Sequence, residues 1–139
     1  MSPTSPSSSQ HPFKSRTFWA SLCYACNGIG AVFKTERNFR THSLLAIAAT
    51  LAGCYFRIDR MEWALLIFCV VLMMAVEILN TAFEYLVDIW ANGLYLEKAR
   101  LVKDISAGAC LITATGVGLV GAFIFFPHIL LLLRLLTHY

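Results

Sequence analysis

Charged residues are scarce in this chain, and their placement matters more than their number. Asp, Glu, Lys and Arg make up 14% of the 139 residues, against about a quarter in an ordinary soluble domain. The run Trp63 to Val76 has none, and neither do the 22 residues from Ile105 to Phe126. With 58% hydrophobic residues and a mean hydropathy of +0.67, the chain reads as a small multi-pass membrane protein and not as a soluble domain. Paired cysteine spacing is also lacking. The five cysteines are scattered, three of them in apolar runs where they act as small hydrophobes. Cys23 and Cys26 have C-x-x-C spacing, but with no second ligand pair and no surrounding strand pattern they predict neither a zinc nor a redox site. No early apolar segment ends in a small-residue cleavage site, so no secretory signal is expected. The net charge of +3 is modest; basic residues flanking apolar runs read as topology signals and headgroup contacts, which argues against a nucleic-acid partner.

Residues 1–12 are rich in Ser and Pro, too polar to bury a core, and are expected to form a disordered tail. Over 13–34, apolar Phe18, Trp19, Leu22, Cys26, Ile29 and Phe33 recur at helical spacing between basic ends, predicting an amphipathic helix on the membrane surface. Gly28 and Gly30 signal a possible break. A first crossing is expected at about 39–57, with Arg40 snorkelling, and a second at about 62–88 with Trp63 and Trp90 at the interfaces. A third is expected at about 104–126, ended by Pro127 and followed by an apolar extension over 128–139. Gly108, Gly116, Gly118 and Gly121 suit close helix approach in lipid. Asn92-Gly93 signals a turn within a charged loop. Lys14, Arg16, Lys34, Arg37 and Arg40 all precede the first apolar run, which predicts a cytoplasmic N-terminus.

Within the second crossing, Glu77, Asn80, Thr81, Glu84 and Asp88 fall at roughly 0°, −60°, +40°, −20° and +20° around a helix, one polar stripe on an otherwise apolar element. Ionisable groups at membrane depth mark functional sites by default. Glu84 and Asp88 alone would fit interfacial charges at a helix end; Glu77 and Asn80 in the same stripe favour a site. Glu36, Arg37 and Arg40 before the first crossing and Lys103-Asp104 before the third should converge on it. Glu36 and Glu84 suit a hard divalent cation, since Mg²⁺ is typically held by one or two carboxylates plus substrate phosphates, and Lys103 could meet a phosphate. Glu77 lies about 10 Å deeper than Glu84 along the helix. Burial disfavours the charged form of a carboxylate, which suits it to take a proton from a hydroxyl emerging from lipid.

The pattern Glu77-Ile-Leu-Asn80-Thr-Ala-x-Glu84-x-x-Val-Asp88, followed by Lys103-Asp104-Ile-Ser-Ala-Gly108-Ala, closely resembles the small prokaryotic integral-membrane lipid kinases, the diacylglycerol kinase and undecaprenol kinase family, over roughly residues 16 to 127. The resemblance implies an all-α membrane protein with a surface helix and three transmembrane helices, assembled as a homotrimer in the bacterial cell membrane. It also implies sites shared between subunits, Mg²⁺-ATP as phosphoryl donor and none of the soluble kinase motifs. Carried over by position, Glu77 is the expected catalytic base with Asn80 beside it, and Glu36 and Glu84 the metal pair. Lys103 and Asp104 are expected nucleotide contacts, Asp88 a polar residue of the same site, and Arg16 and Tyr24 further nucleotide contacts. The chain departs from the family pattern at Phe83, Arg100 and Val102, and its 89–97 loop lacks a familiar His.

The expected activity is transfer of the ATP γ-phosphate to a membrane-lipid hydroxyl. The segment from Phe33 to His42 is similar to the E-x-N-x-R-x-H pattern of the undecaprenol-kinase branch, which favours a polyprenol over diacylglycerol. A non-enzymatic ion or proton relay is the rival, and it should continue its polar stripe to the far side of the membrane. His42 reads as an interface residue, and Arg57 to Glu62 as a solvated turn.

Overall fold

A computed structural model describes residues 17–137; the expected tail at 1–12 and the expected contact at Arg16 lie outside the described residues. Within them the chain is four helices joined by short connections, with no strand. The first, α1 (Phe18–Thr35), starts at Thr17, whose hydroxyl accepts from the Ala20 amide at 3.3 Å. It runs unbroken through Gly28 and Gly30, where a Cβ would meet nothing within 4 Å. Each such glycine weakens a helix by about 1 kcal/mol, and the helical residues on both sides outweigh that.

The chain then turns at Glu36, which is extended (φ −93, ψ 116), into α2 (Arg37–Phe56). Helix ends leave carbonyls without partners, and here Arg40 supplies them: its Nη1 donates to Phe33 O at 3.2 Å and Lys34 O at 2.9 Å. Arg40, expected from the sequence to snorkel, thus also caps the end of α1. Buried Val32 and Phe39, with Phe33 packed edge-on against Phe39 at 6.2 Å, close the inside of this corner.

At its other end α2 stops at Arg57, in the left-handed region (φ 53). Asp59 then caps α3 (Arg60–Ala91): its Oδ1 accepts from Met61 N at 2.7 Å and Glu62 N at 2.9 Å, while Glu62 Oε2 accepts from Asp59 N at 2.8 Å. This reciprocal capping box gives a structural use to charges read as a solvated turn. The α3 helix ends at left-handed Asn92 (φ 47), followed by Gly93 (φ 79), as the Asn-Gly turn predicts. Its successor, α4 (Glu97–Thr137), begins earlier than the expected crossing and places Lys103 and Asp104 inside a helix.

The expected stop at Pro127 does not occur. Helix α4 continues ten residues past it to Thr137, so 128–137 is helix and not a separate extension. Proline removes one hydrogen bond, but the Leu-rich stretch that follows favours helix, and an apolar surrounding leaves backbone groups no partner outside the helix.

The longest pairing is the α3–α4 hairpin, with α2 laid against α3. Val87, Ala91 and Ala99 pack at the connection between α3 and α4, and Ile58, Leu66 and Ile124 pack at the opposite end. Gly53 on α2 is the tight point: a Cβ there would lie 3.0 Å from both Ile58 Cδ1 and Trp63 Cη2. Gly108, Gly116, Gly118 and Gly121 make no such close approach within the chain. Helices α3 and α4 are long and apolar enough to cross a membrane; α2 does not meet that standard. Only 6% of the apolar window of α4 is buried inside the chain.

Candidate active site

Because α3 carries the stripe and its neighbours press on one side of it, the five polar residues differ sharply in environment. Glu77 is 3% exposed and Thr81 2%. The Thr81 hydroxyl donates to Glu77 O at 3.1 Å, spending its own polarity on the helix backbone. The Glu77 carboxylate faces His42 of α2, with Nε2 to Oε1 at 3.5 Å, and the Cys110 thiol of α4 lies close by, donating to the neighbouring Val76 O at 3.8 Å. One turn on, Asn80 Nδ2 donates to Glu84 Oε1 at 2.8 Å, while Asn80 Oδ1 is buried with no partner among the described residues. A buried amide oxygen left open is costly in a finished core; in a site it is an acceptor awaiting a donor or a cation. Further along, Asp88 pairs with Lys103 of α4.

The expected convergence is met for some residues and not for others. Lys103 and Asp88 are in contact. Glu36 lies at the α1–α2 corner, and that corner is tied to the Glu84 turn: the Tyr85 hydroxyl donates to Thr35 Oγ1 at 3.2 Å, joining the residues adjacent to both glutamates. Asp104 instead pairs with Arg100 at 3.6 Å along α4 and is largely exposed. Tyr24 sits on the exposed side of α1, 65% exposed. Among the described residues no three His, Cys, Asp or Glu side chains gather as a ready metal centre. The oxygen-only donors at Glu36 and Glu84 nevertheless fit a magnesium ion, which takes few carboxylates and completes its shell with water and substrate phosphates.

Residue-by-residue reading of the sequence did not place His42 or Cys110 beside Glu77. A signal was present in α2: Phe39, His42, Ala46, Ala49 and Gly53 recur at 3, 4, 3 and 4 residues, the spacing of one helical face, so the histidine shares its side with the buried Phe39. Beside it a cavity of about 270 Å³ opens between α2, α3 and α4, walled by His42, Ala46, Ala49, Met73, Gly118 and Phe125 among others.

A buried carboxylate, an open amide and a cation–carboxylate pair strung along one membrane helix are an uncommon combination, and comparison with known proteins gives it a context. Residues 23–125 match the family model described as prokaryotic diacylglycerol kinase. The chain belongs to that family. It is 35% identical over 113 residues to a diacylglycerol kinase of Synechocystis sp., covering 81% of this chain and 65% of that protein. It is 31% identical over 122 residues to an undecaprenol kinase of Bacillus subtilis, covering 88% of this chain and 98% of that protein. A diacylglycerol kinase of Escherichia coli is 35% identical over 89 residues, covering 64% of this chain and 72% of that protein. The family match spans the whole of α2 and α3 and most of α4, so every polar residue of the stripe falls inside it. Relatives named for two different lipids flank the chain at similar identity, and the family by itself does not choose between them.

Proposed function

We propose that the chain is a membrane lipid kinase that transfers the γ-phosphate of ATP to the hydroxyl of a lipid alcohol, with Glu77 as the general base. The observation that carries this reading is Glu77 itself: a carboxylate 3% exposed in a helix fit to cross a membrane, two turns from Glu84 and three from the Asp88–Lys103 pair. Phosphoryl transfer asks a protein mainly for positioning and charge neutralisation, and the stripe supplies both in order of depth. Lys103 and Asp88 take the nucleotide at the shallow end, with Asp104, Tyr24 and Arg16 as further contacts. Glu36 and Glu84 hold the magnesium ion, which when bound neutralises phosphate charge. Asn80 fixes the Glu84 carboxylate. Glu77 takes the proton of the lipid hydroxyl as its oxygen bonds to the γ-phosphorus and the bond to the leaving ADP oxygen breaks.

In this reading α2, at 20 residues and about 30 Å of rise, is a third crossing and α1 lies on the cytoplasmic surface of a bacterial cell membrane. The open apolar surface of α4 is then available to lipid and to sister subunits of a homotrimer. We place undecaprenol ahead of diacylglycerol as acceptor. Apolar cavity walls discriminate poorly between apolar bodies, and the choice rests on the similarity of the segment from Phe33 to His42 to the undecaprenol-kinase branch. The relay alternative is disfavoured by the sequence between Glu77 and Glu62, about 22 Å of helix without a charged residue.

The deciding experiment is magnesium-dependent ATP consumption by the purified protein in mixed micelles, with undecaprenol and diacylglycerol competing and labelled products counted. Consumption that requires neither lipid nor magnesium would defeat the kinase reading. An excess of phosphatidic acid would defeat only the choice of acceptor.

A further inference from the structure

We infer that His42 is a positioning residue that places a counter-charge beside the Glu77 carboxylate at the wall of the cavity from which the lipid hydroxyl arrives; this rests on the kinase reading above. Three observations lead to it. First, His42 Nε2 lies 3.5 Å from Glu77 Oε1 while the two side chains are 24% and 5% exposed, so the imidazole reaches from a partly open position into a closed one. Second, His42 is a wall residue of the cavity between α2, α3 and α4, whereas Glu77 is not. A hydroxyl on a lipid occupying that space meets the imidazole edge on its way to the carboxylate.

Third, the other neighbours of Glu77 cannot take this part. From α4 it is met by Cys110, a weak donor that carries no positive charge. Along α3, the Asn80 amide is directed to Glu84 and the Thr81 hydroxyl to a backbone oxygen. Glu84 carries the same charge as Glu77. Lys103 is engaged by Asp88, eleven residues and about 16 Å further along the helix. His42 is therefore the one described side chain within ion-pair distance of Glu77 that can become a cation. An ionised carboxylate in a water-poor site needs such a partner, and without one it takes up a proton and stops being a base.

The imidazole lies 3.5 Å from one carboxylate oxygen of Glu77 and leaves the other free. When the lipid hydroxyl attacks, its proton passes to that free oxygen, the new O–P bond forms, and the electron pair of the broken P–O bond leaves with ADP. No proton is taken from His42, which acts only through Glu77.

The test uses the purified full-length protein with magnesium-ATP and undecaprenol in mixed micelles, measuring kcat and both KM values at neutral pH. His42→Gln should lower kcat by roughly 10²-fold, the scale of a misplaced catalytic group, and leave the KM for ATP within about twofold. His42→Lys should recover part of kcat, because an ammonium restores a positive charge beside the Glu77 carboxylate. Since a purely structural histidine would not be rescued by a longer, flexible cation, a Lys variant no better than the Gln variant would overturn the inference. So would a Gln variant that keeps the wild-type rate. If the wild type phosphorylates neither undecaprenol nor diacylglycerol, it is the kinase reading that has failed.

Discussion

Replacing Glu77 by Gln separates chemistry from binding in this site. The side chain is 3% exposed, so an amide of the same shape fills its space, and the change removes a charge with no cavity formed. General-base catalysis contributes about 10² to 10⁴ in rate, equivalent to about 2.7–5.4 kcal/mol in the barrier; kcat should fall by that factor. Nucleotide binding should behave differently. Glu77 stands seven residues from Glu84, about 10 Å along the axis, and two unit charges at that separation interact by about 1.7 kcal/mol at an effective dielectric of 20. The bound nucleotide is an anion even with its metal, so removing the Glu77 charge should leave ATP affinity unchanged or tighten it by no more than about twentyfold. Steady-state kinetics with undecaprenol, paired with equilibrium binding of a fluorescent ATP analogue, reads both quantities. Near-normal turnover would remove Glu77 as the base, and a marked loss of nucleotide affinity would show that the depth ordering of the stripe is wrong.

Glu36→Gln and Glu84→Gln should each weaken apparent magnesium-ATP affinity, with partial recovery at raised magnesium; normal nucleotide binding with reduced folding yield would make both residues structural. Lys103→Ala should raise the KM for ATP while shifting stability by no more than about 1 kcal/mol, because its pair with Asp88 is substantially exposed and such pairs contribute little; a thermal melt beside the kinetics checks both. Gly53→Leu should destabilise the fold by about 1–3 kcal/mol, the usual effect of overpacking, since the first added carbon already lies 3.0 Å from Ile58 and Trp63. Denaturant unfolding in detergent measures it, and an unchanged midpoint would show that α2 is free to move away from α3.

The sequence by itself determined the helical membrane class, the polar stripe and the Asn92 turn, because each follows from local rules. Uncharged runs set helix character, a 100° step per residue puts Glu77 to Asp88 on one side, and Asn-Gly accepts the left-handed backbone. It also set the family, whose pattern is contiguous along α3 and the start of α4. Tertiary structure decided what those rules could not reach. Whether Pro127 ends a helix depends on whether the residues beyond it can satisfy their backbone elsewhere, and in α4 they remain helical. Arg40 and Asp59 were charges without evident partners until the corner and turn folded carbonyls and amides onto them. Asp104 pairs with Arg100 one turn away on an exposed face of α4, a partner the motif alone does not name. His42 carries the same lesson furthest. Its spacing with Phe39 marks a face, but only the packing of α2 on α3 brings it 3.5 Å from Glu77, because a contact between residues 35 positions apart is set by how helices cross and not by the pattern along either one.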